Sequence, residues 1–344
     1  MTPPSVEVIL CNFGGPTQSD EVYPFLLRLF EDPFIIRRKM PEVLRRFIAR
    51  KIAGKRAPHS DREYAKIGYS PINKCTLIQA AALEKLLKTI NSNTRVHVIN
   101  RYTRPHAHEV IPLIDPQKSR VFIVTMYPHL CHSTTVSSLR DIDQAFEQHF
   151  GHRDFPSTRV FSWWHHPRYL ALSFEYLRQG IEVELKKSVN LELDILFSAH
   201  GIPAPYDLRG DPYVTETKGH YEELKRRIFS WLEQSEFKGQ KERVHFHLSF
   251  QSRVGPVEWV RPYTDETIVR LAKMQSGKHL LMVPISFTSD HIETLFEMDQ
   301  TYRDLALQQG FAHYSRVKPP GEDLRLAECL RDVLVMHGFG ADAQ

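Results

Sequence analysis

DILFSAHGIP, residues 194 to 203, runs from a short apolar core straight into a polar turn. A run this short and this continuously apolar reads as a β-strand covered on both faces, and it delivers His200 at its carboxyl end. Three other segments have the same character: VEVILC at 6–11, VFIVTM at 121–126 and LLMVPI at 280–285. Around them the spacing predicts strands near Val6–Phe13, Arg95–Tyr102, Arg120–Met126 and Thr158–Trp163. A second series falls near Leu191–Ala199, Arg243–Phe250, His279–Phe287 and Ala312–Val317. Helical patterns lie between them at Lys74–Ile90, Thr134–His149, Tyr169–Lys187, Tyr213–Glu233, Thr264–Gln275, Glu293–Gln309 and Leu324–His337. Strands separated by helices imply parallel sheets built from right-handed βαβ units.

Four strands in each half predict an α/β protein of two similar domains, each a mainly parallel four-stranded sheet flanked by helices, with a cleft between them. The expected boundaries are residues 1–165 and 166–318, with the last helix, in 319–344, packing back on the first domain. No low-complexity linker separates the halves. In open parallel sheets ligands gather beyond the carboxyl ends of the strands. Three polar turns fall at such ends: Asn12–Pro16, Ser198–Pro203 and Ser286–Glu293.

The bulk composition is that of a soluble globular chain of 344 residues, 42% hydrophobic and 25% charged. A net charge of +4 implies no general attraction to nucleic acid. Four scattered cysteines, Cys11, Cys75, Cys131 and Cys329, form no C-x-x-C pair and suit a reducing cytoplasm. No signal peptide and no stretch of about 20 apolar residues is evident. Residues 33–56, PFIIRRKMPEVLRRFIARKIAGKR, interleave basic and apolar side chains in the manner of a helix that meets a membrane surface or an anionic ligand.

The chemistry-bearing residues concentrate in FSAHGIP and in PISFTSDHIETLFEMDQ at 284–300. Asp290, His291 and Glu293 occupy the turn after a strand in the second half, as His200 does. Two imidazoles and a carboxylate can bind a divalent metal or relay protons, and the residue types leave both open. Glu293 and Glu297, four apart on one helix face, repel unless a cation or proton intervenes. Phe13-Gly14-Gly15-Pro16 lacks the G-x-G-x-x-G of a dinucleotide turn, and no phosphate-binding G-x-x-x-x-G-K-[ST] occurs. The H-x-E of His291–Glu293 lacks the P-C-x-x-C that a zinc deaminase requires.

Taken together these segments resemble the ferrochelatase family, enzymes that insert ferrous iron into a porphyrin at the end of haem synthesis. FSAHGIP is similar to the family's signature turn and PISFTSDHIETL to its C-terminal site motif. SFQSRVGPVEWVRPYTDETI at 249–268 matches another block, and NFGGP, YSPI, NRYTRP and CHSTTVSSL match weaker ones in the same order. The resemblance implies two Rossmann-like domains around a porphyrin cleft. It implies His200 and Glu293 as the central catalytic pair, His291 and Asp290 beside them, and His200, Glu293 and Glu297 as the metal's contacts. Phe13, Ser70, Arg101, Tyr102, Tyr127 and Trp259 are the expected porphyrin-binding residues. Relatives carry a third acid where this chain has Thr301, and a widened π-type turn in the helix that bears the acids. Relatives that use coproporphyrin tend to have tyrosine where this chain has Phe13, so protoporphyrin IX is the expected substrate.

Residues 33–56 correspond to a lip over the cleft, so peripheral membrane contact is expected there. A prosthetic group is not expected, and with only Cys329 near the end no [2Fe–2S] cluster is either. The expected partners are porphyrin and ferrous iron as substrates, with no nucleic acid, in a cytoplasmic monomer or homodimer. The rival readings are a chelatase for coproporphyrin III or another metal or tetrapyrrole, a non-catalytic porphyrin or haem carrier, and a basic RNA-binding protein.

Overall fold

Strand β1 (Ser5–Asn12) is buried along nearly its whole length because it pairs on both sides, with β2 (Thr94–Asn100) and with β3 (Ser119–Thr125). β4 (Thr158–Val160) joins β3 at the outer edge, giving the order β2-β1-β3-β4, all parallel. The second sheet repeats this plan with β5 (Leu193–His200), β6 (Val244–Gln251), β7 (His279–Val283) and β8 (His313–Arg316), in the order β6-β5-β7-β8. These ranges come from a computed structural model that describes residues 4–36, 40–188, 190, 192–274 and 278–341. Leu191, Gln275 and the basic residues Arg37, Arg38 and Lys39 therefore lie outside the described residues.

The chain divides into two compact units. One comprises Met1–Trp163 with Glu322–Gln344, the other Trp164–Gly321. Helix Leu324–Met336 packs against helix Ile72–Lys88 in the first unit, burying Leu326, Leu330, Val333 and Leu334. Under each sheet lies its own apolar cluster. In the first unit Ile9, Ile123, Ile142 and Phe146 belong to it; in the second, Leu196, Leu280, Met282 and Met298 do.

A repeat that no letter-by-letter comparison reveals appears in the strand pairing. Glu7 of β1 faces Arg95 in register, and its carboxylate meets His97, two residues further along β2, at 2.7 Å. Asp194 of β5 faces His245, and its carboxylate meets His247, again two residues on, at 2.8 Å. Each sheet thus compensates one buried acid on its central strand with an imidazole from the neighbouring edge strand.

Several elements differ from the sequence expectations for identifiable reasons. β7 stops at Val283 rather than Phe287, because Pro284 has no N–H to continue the ladder. The basic stretch forms a helix over Glu42–Lys66, entered after Pro41 and extending beyond residue 56. A further helix, Val22–Glu31, precedes it. The helix expected from Glu293 opens as a π-helix, Glu293–Tyr302, and tightens to an α-helix only over Arg303–Gln308.

Candidate active site

The two central strands of the second sheet, β5 and β7, run side by side, with Phe197 in register with Val283. In this strand order β5 leads on to β6 and β7 to β8, in opposite directions along the sheet, so the crevice for a ligand opens beyond the carboxyl ends of β5 and β7. There the chain presents His200 from β5 and, after Pro284, the turn leading to His291 and Glu293. The Ser286 hydroxyl accepts the His200 N–H at 3.0 Å and pins the two turns together.

Glu293 stands between two imidazoles. Its Oε1 lies 3.3 Å from His200 Nδ1 and its Oε2 lies 2.6 Å from His291 Nε2. His291 is largely covered, with the Phe287 ring edge-on at 4.3 Å, whereas the His200 side chain is 38% exposed. Burial disfavours a charge on His200, but the charge of Glu293, with Glu297 behind it, outweighs that and raises the imidazole's pKa above 6.5. Burial likewise opposes ionisation of Glu293, yet His291 and His200 hold its carboxyl well below the usual range of about 4.5. If Nδ1 of His200 directs its proton at Glu293, Nε2 is left as the basic atom of the ring.

Glu297, one turn along the π-helix, accepts a hydrogen bond from Ser252 at 2.8 Å. Gln251 donates to the Glu293 carbonyl at 3.3 Å. The Trp259 ring lies edge-on to His200 at 6.3 Å, and its indole N–H is held by the Val254 carbonyl. Gly201 has no room for a side chain: a Cβ would meet the Gln251 carbonyl oxygen at 2.7 Å and Trp259 at 3.1 Å. Asp290 is turned away from the imidazoles, accepting from Arg316 at 2.9 Å and from Thr294 at 2.7 Å.

His200, His291 and Glu293 are thus brought together, with Glu297 and Trp259 adjacent. The contacts of Glu293 with the two imidazoles are ion-pair contacts. Among the described residues no group of three or more His, Cys, Asp or Glu side chains is already placed to hold a metal ion.

The remaining candidates belong to the first unit. Phe13 sits edge-on to Tyr102 at 4.5 Å and to Phe25 at 6.1 Å. The glycine turn after it lies against Asn100, Thr103 and Ser70; Gly14 has φ +75°, and a Cβ there would strike the Thr103 hydroxyl. Ser70 is buried beneath Gly15. Tyr102 is only 1% exposed and its hydroxyl donates to Asp32 at 2.7 Å. Arg101 pairs with the same Asp32 at 3.0 Å and with Asp141 at 3.3 Å. Tyr127 is tied to Ser138 at 3.3 Å, and burial raises its phenol pKa. Arg101 and Tyr102 therefore fasten the segment after helix Val22–Glu31, since Asp32 also accepts the Phe34 N–H.

Sequence reasoning did not single out Asp32, Ser252, Ser286 or Arg316. Ser252 was legible only as part of the block at 249–268; its reach to Glu297 depends on a positive φ of 64°, unusual for serine.

With this geometry in view, the Ferrochelatase family model matches residues 6–337. A protein named ferrochelatase from Geobacter metallireducens is 38% identical, over 96% of this chain and 98% of its own length. Another, from Gloeothece citriformis, is also 38% identical, over 91% of this chain and 77% of its own. A solved structure described as the terminal enzyme of siroheme biosynthesis in denitrifying bacteria aligns with 12% identity and a TM-score of 0.46, covering 96% of this chain and 98% of that one.

Proposed function

This chain belongs to the ferrochelatase family and is a lyase-type metal chelatase acting on a porphyrin; on that footing we propose that it inserts ferrous iron into protoporphyrin IX and releases two protons. The observation that carries the reading is the carboxylate of Glu293 shared between His200 and His291 at the carboxyl ends of two adjacent strands.

Insertion requires two pyrrole N–H bonds to break as the ferrous ion arrives. His200 is the proton acceptor: Glu293 orients its ring through Nδ1 and leaves Nε2 free to take the proton, while the exposed edge lets protons leave to water. Glu293 and Glu297, with His200, offer the oxygen and nitrogen donors that suit an incoming ferrous ion. Trp259 beside His200 supplies an aromatic wall; such walls bend a flat ring, exposing nitrogen lone pairs at the expense of binding energy. Phe13 stands where relatives that use coproporphyrin tend to have tyrosine, which supports protoporphyrin IX as the substrate.

The reading needs no prosthetic group, and the four cysteines are all buried thiols, as suits a cytoplasmic enzyme. Among the described residues no helix is long and apolar enough to cross a membrane. Helix Glu42–Lys66 nevertheless begins with Val43, Leu44 and Phe47 exposed beside Arg46, Arg50 and Lys51. That mixture supports a peripheral contact with an anionic lipid surface, where a greasy porphyrin would arrive.

The test is anaerobic incubation of the protein with ferrous iron and either protoporphyrin IX or coproporphyrin III, following the Soret and visible bands. Haem formation from protoporphyrin is expected, and His200→Ala is expected to abolish it while retaining most porphyrin binding. Turnover of coproporphyrin alone would overturn the substrate assignment. Porphyrin binding without metallation of either would favour a carrier, and near-normal turnover by His200→Ala would overturn the role of that residue.

A further inference from the structure

The last residue of β8, Arg316, has a side chain only 6% exposed and carries three charge-assisted bonds. Its Nε and Nη2 donate to the two carboxylate oxygens of Asp299, each at 2.7 Å, and its Nη1 donates to Asp290 at 2.9 Å. Asp299 lies within the π-helix, six residues after Glu293; Asp290 lies in the turn, three residues before it. One buried cation therefore grips a carboxylate on each side of Glu293.

The bonds continue towards the imidazoles. The Asp290 oxygen that meets Arg316 also accepts from the Thr294 hydroxyl at 2.7 Å, and that hydroxyl accepts the His291 N–H at 3.0 Å. His291 then reaches Glu293 at 2.6 Å. A π-helix is a rare and poorly favoured conformation, and reverting to α-helical winding would rotate Glu293 and Glu297 relative to His200. Fixing two points that flank Glu293 opposes that reversion. A planar guanidinium is well shaped for such a grip, since it meets Asp299 with two parallel bonds and still has a third N–H for Asp290. Lysine cannot reproduce that arrangement.

We propose that Arg316 is a positioning residue of the metal-insertion site, setting the register of the π-helix and so the placement of His291 and Glu293. The inference rests on the reading of this site as one that inserts iron into porphyrin.

The variants to compare are Arg316→Lys, Asp299→Asn and the double variant. For each, kcat and the porphyrin and iron KM values would be measured, with porphyrin binding followed by fluorescence quenching and folding by thermal melting. The expected result for folded Arg316→Lys is a kcat lower by about 10- to 100-fold, the size of effect that slight misplacement of reacting groups produces. Porphyrin KM and binding should stay within about 2-fold, since uniform binding is untouched. Asp299→Asn should lower kcat in the same direction, and the double variant should be little worse than the poorer single one. Should Arg316→Lys fail to fold, Asp299→Asn carries the test through the same bond. A folded variant with unchanged kcat, or losses that fully add, would overturn the proposal while wild-type turnover left the functional reading intact. A fall in kcat that only tracks lost porphyrin binding would do the same. A wild-type protein that inserts no iron would overturn both.

Discussion

At His200 two effects of opposite sign meet: desolvation lowers the imidazole's affinity for a proton, and the charge of Glu293 raises it by more. Because the folded pKa is raised, the stabilisation from a charged His200 is present below its ordinary value of 6.5 and is lost as pH rises through the folded value. For Glu293 the shift is downward, so its contribution is present above about 4.5 and is lost as pH falls through its folded value. A proton acceptor must be neutral, so metal insertion should rise with pH along a limb centred above 6.5. Replacing Glu293 by Gln removes the larger opposing charge and leaves desolvation opposed by Glu297 alone. The residual activity of Glu293→Gln should therefore rise along a limb shifted to lower pH, with a reduced maximum. A pH–rate profile measures this directly, and an unmoved limb would show that another group sets it.

The element that decides the site is the π-helix Glu293–Tyr302. Within it the Met298 carbonyl accepts the Arg303 N–H, five residues on, and also the Tyr314 hydroxyl of β8 at 2.6 Å. Tyr314→Phe deletes the second of these donors beside a fully buried residue, and losing one such hydrogen bond costs about 1 kcal/mol. Urea denaturation should report a loss of that size. An unchanged midpoint would mean that the Arg303 N–H alone satisfies the carbonyl. Local sequence can announce a helix here but not its winding. The residues that hold it open, Arg316, Tyr314, Gln251 and Ser252, come from other strands and loops.

For the molecule as a whole, the last helix has consequences out of proportion to its length. Leu326, Leu330, Val333 and Leu334 of Leu324–Met336 are each 0–1% exposed, and they complete the core of the first unit although 158 residues of the second intervene. Burying side chains of this size contributes about 1.5–3 kcal/mol each, against a typical domain stability of about 5–15 kcal/mol. Removing residues 322–344 should therefore unfold the first unit, seen as loss of cooperative melting and rapid proteolysis within residues 1–163. A truncated protein that melts at the wild-type temperature would contradict this account of the core.

Nearly continuous apolar runs at 6–11, 121–126, 194–199 and 280–285, separated by helical periods, were enough to specify parallel α/β sheets, because burial on both faces leaves its mark along most of a strand. The same runs marked where polar turns emerge, and so exposed His200, His291 and Glu293 as a set. Pairing order, and with it the adjacency of β5 and β7, left no local trace. Nor did the matched pairs Glu7–His97 and Asp194–His247, which join residues 90 and 53 positions apart. Asp32 illustrates the limit well: one acid after a helix, it gathers Arg101, Tyr102 and Ser137 from distant segments into a single buried network. Local periodicity records what each segment buries; which segments meet depends on long-range packing, and only the folded chain decides it.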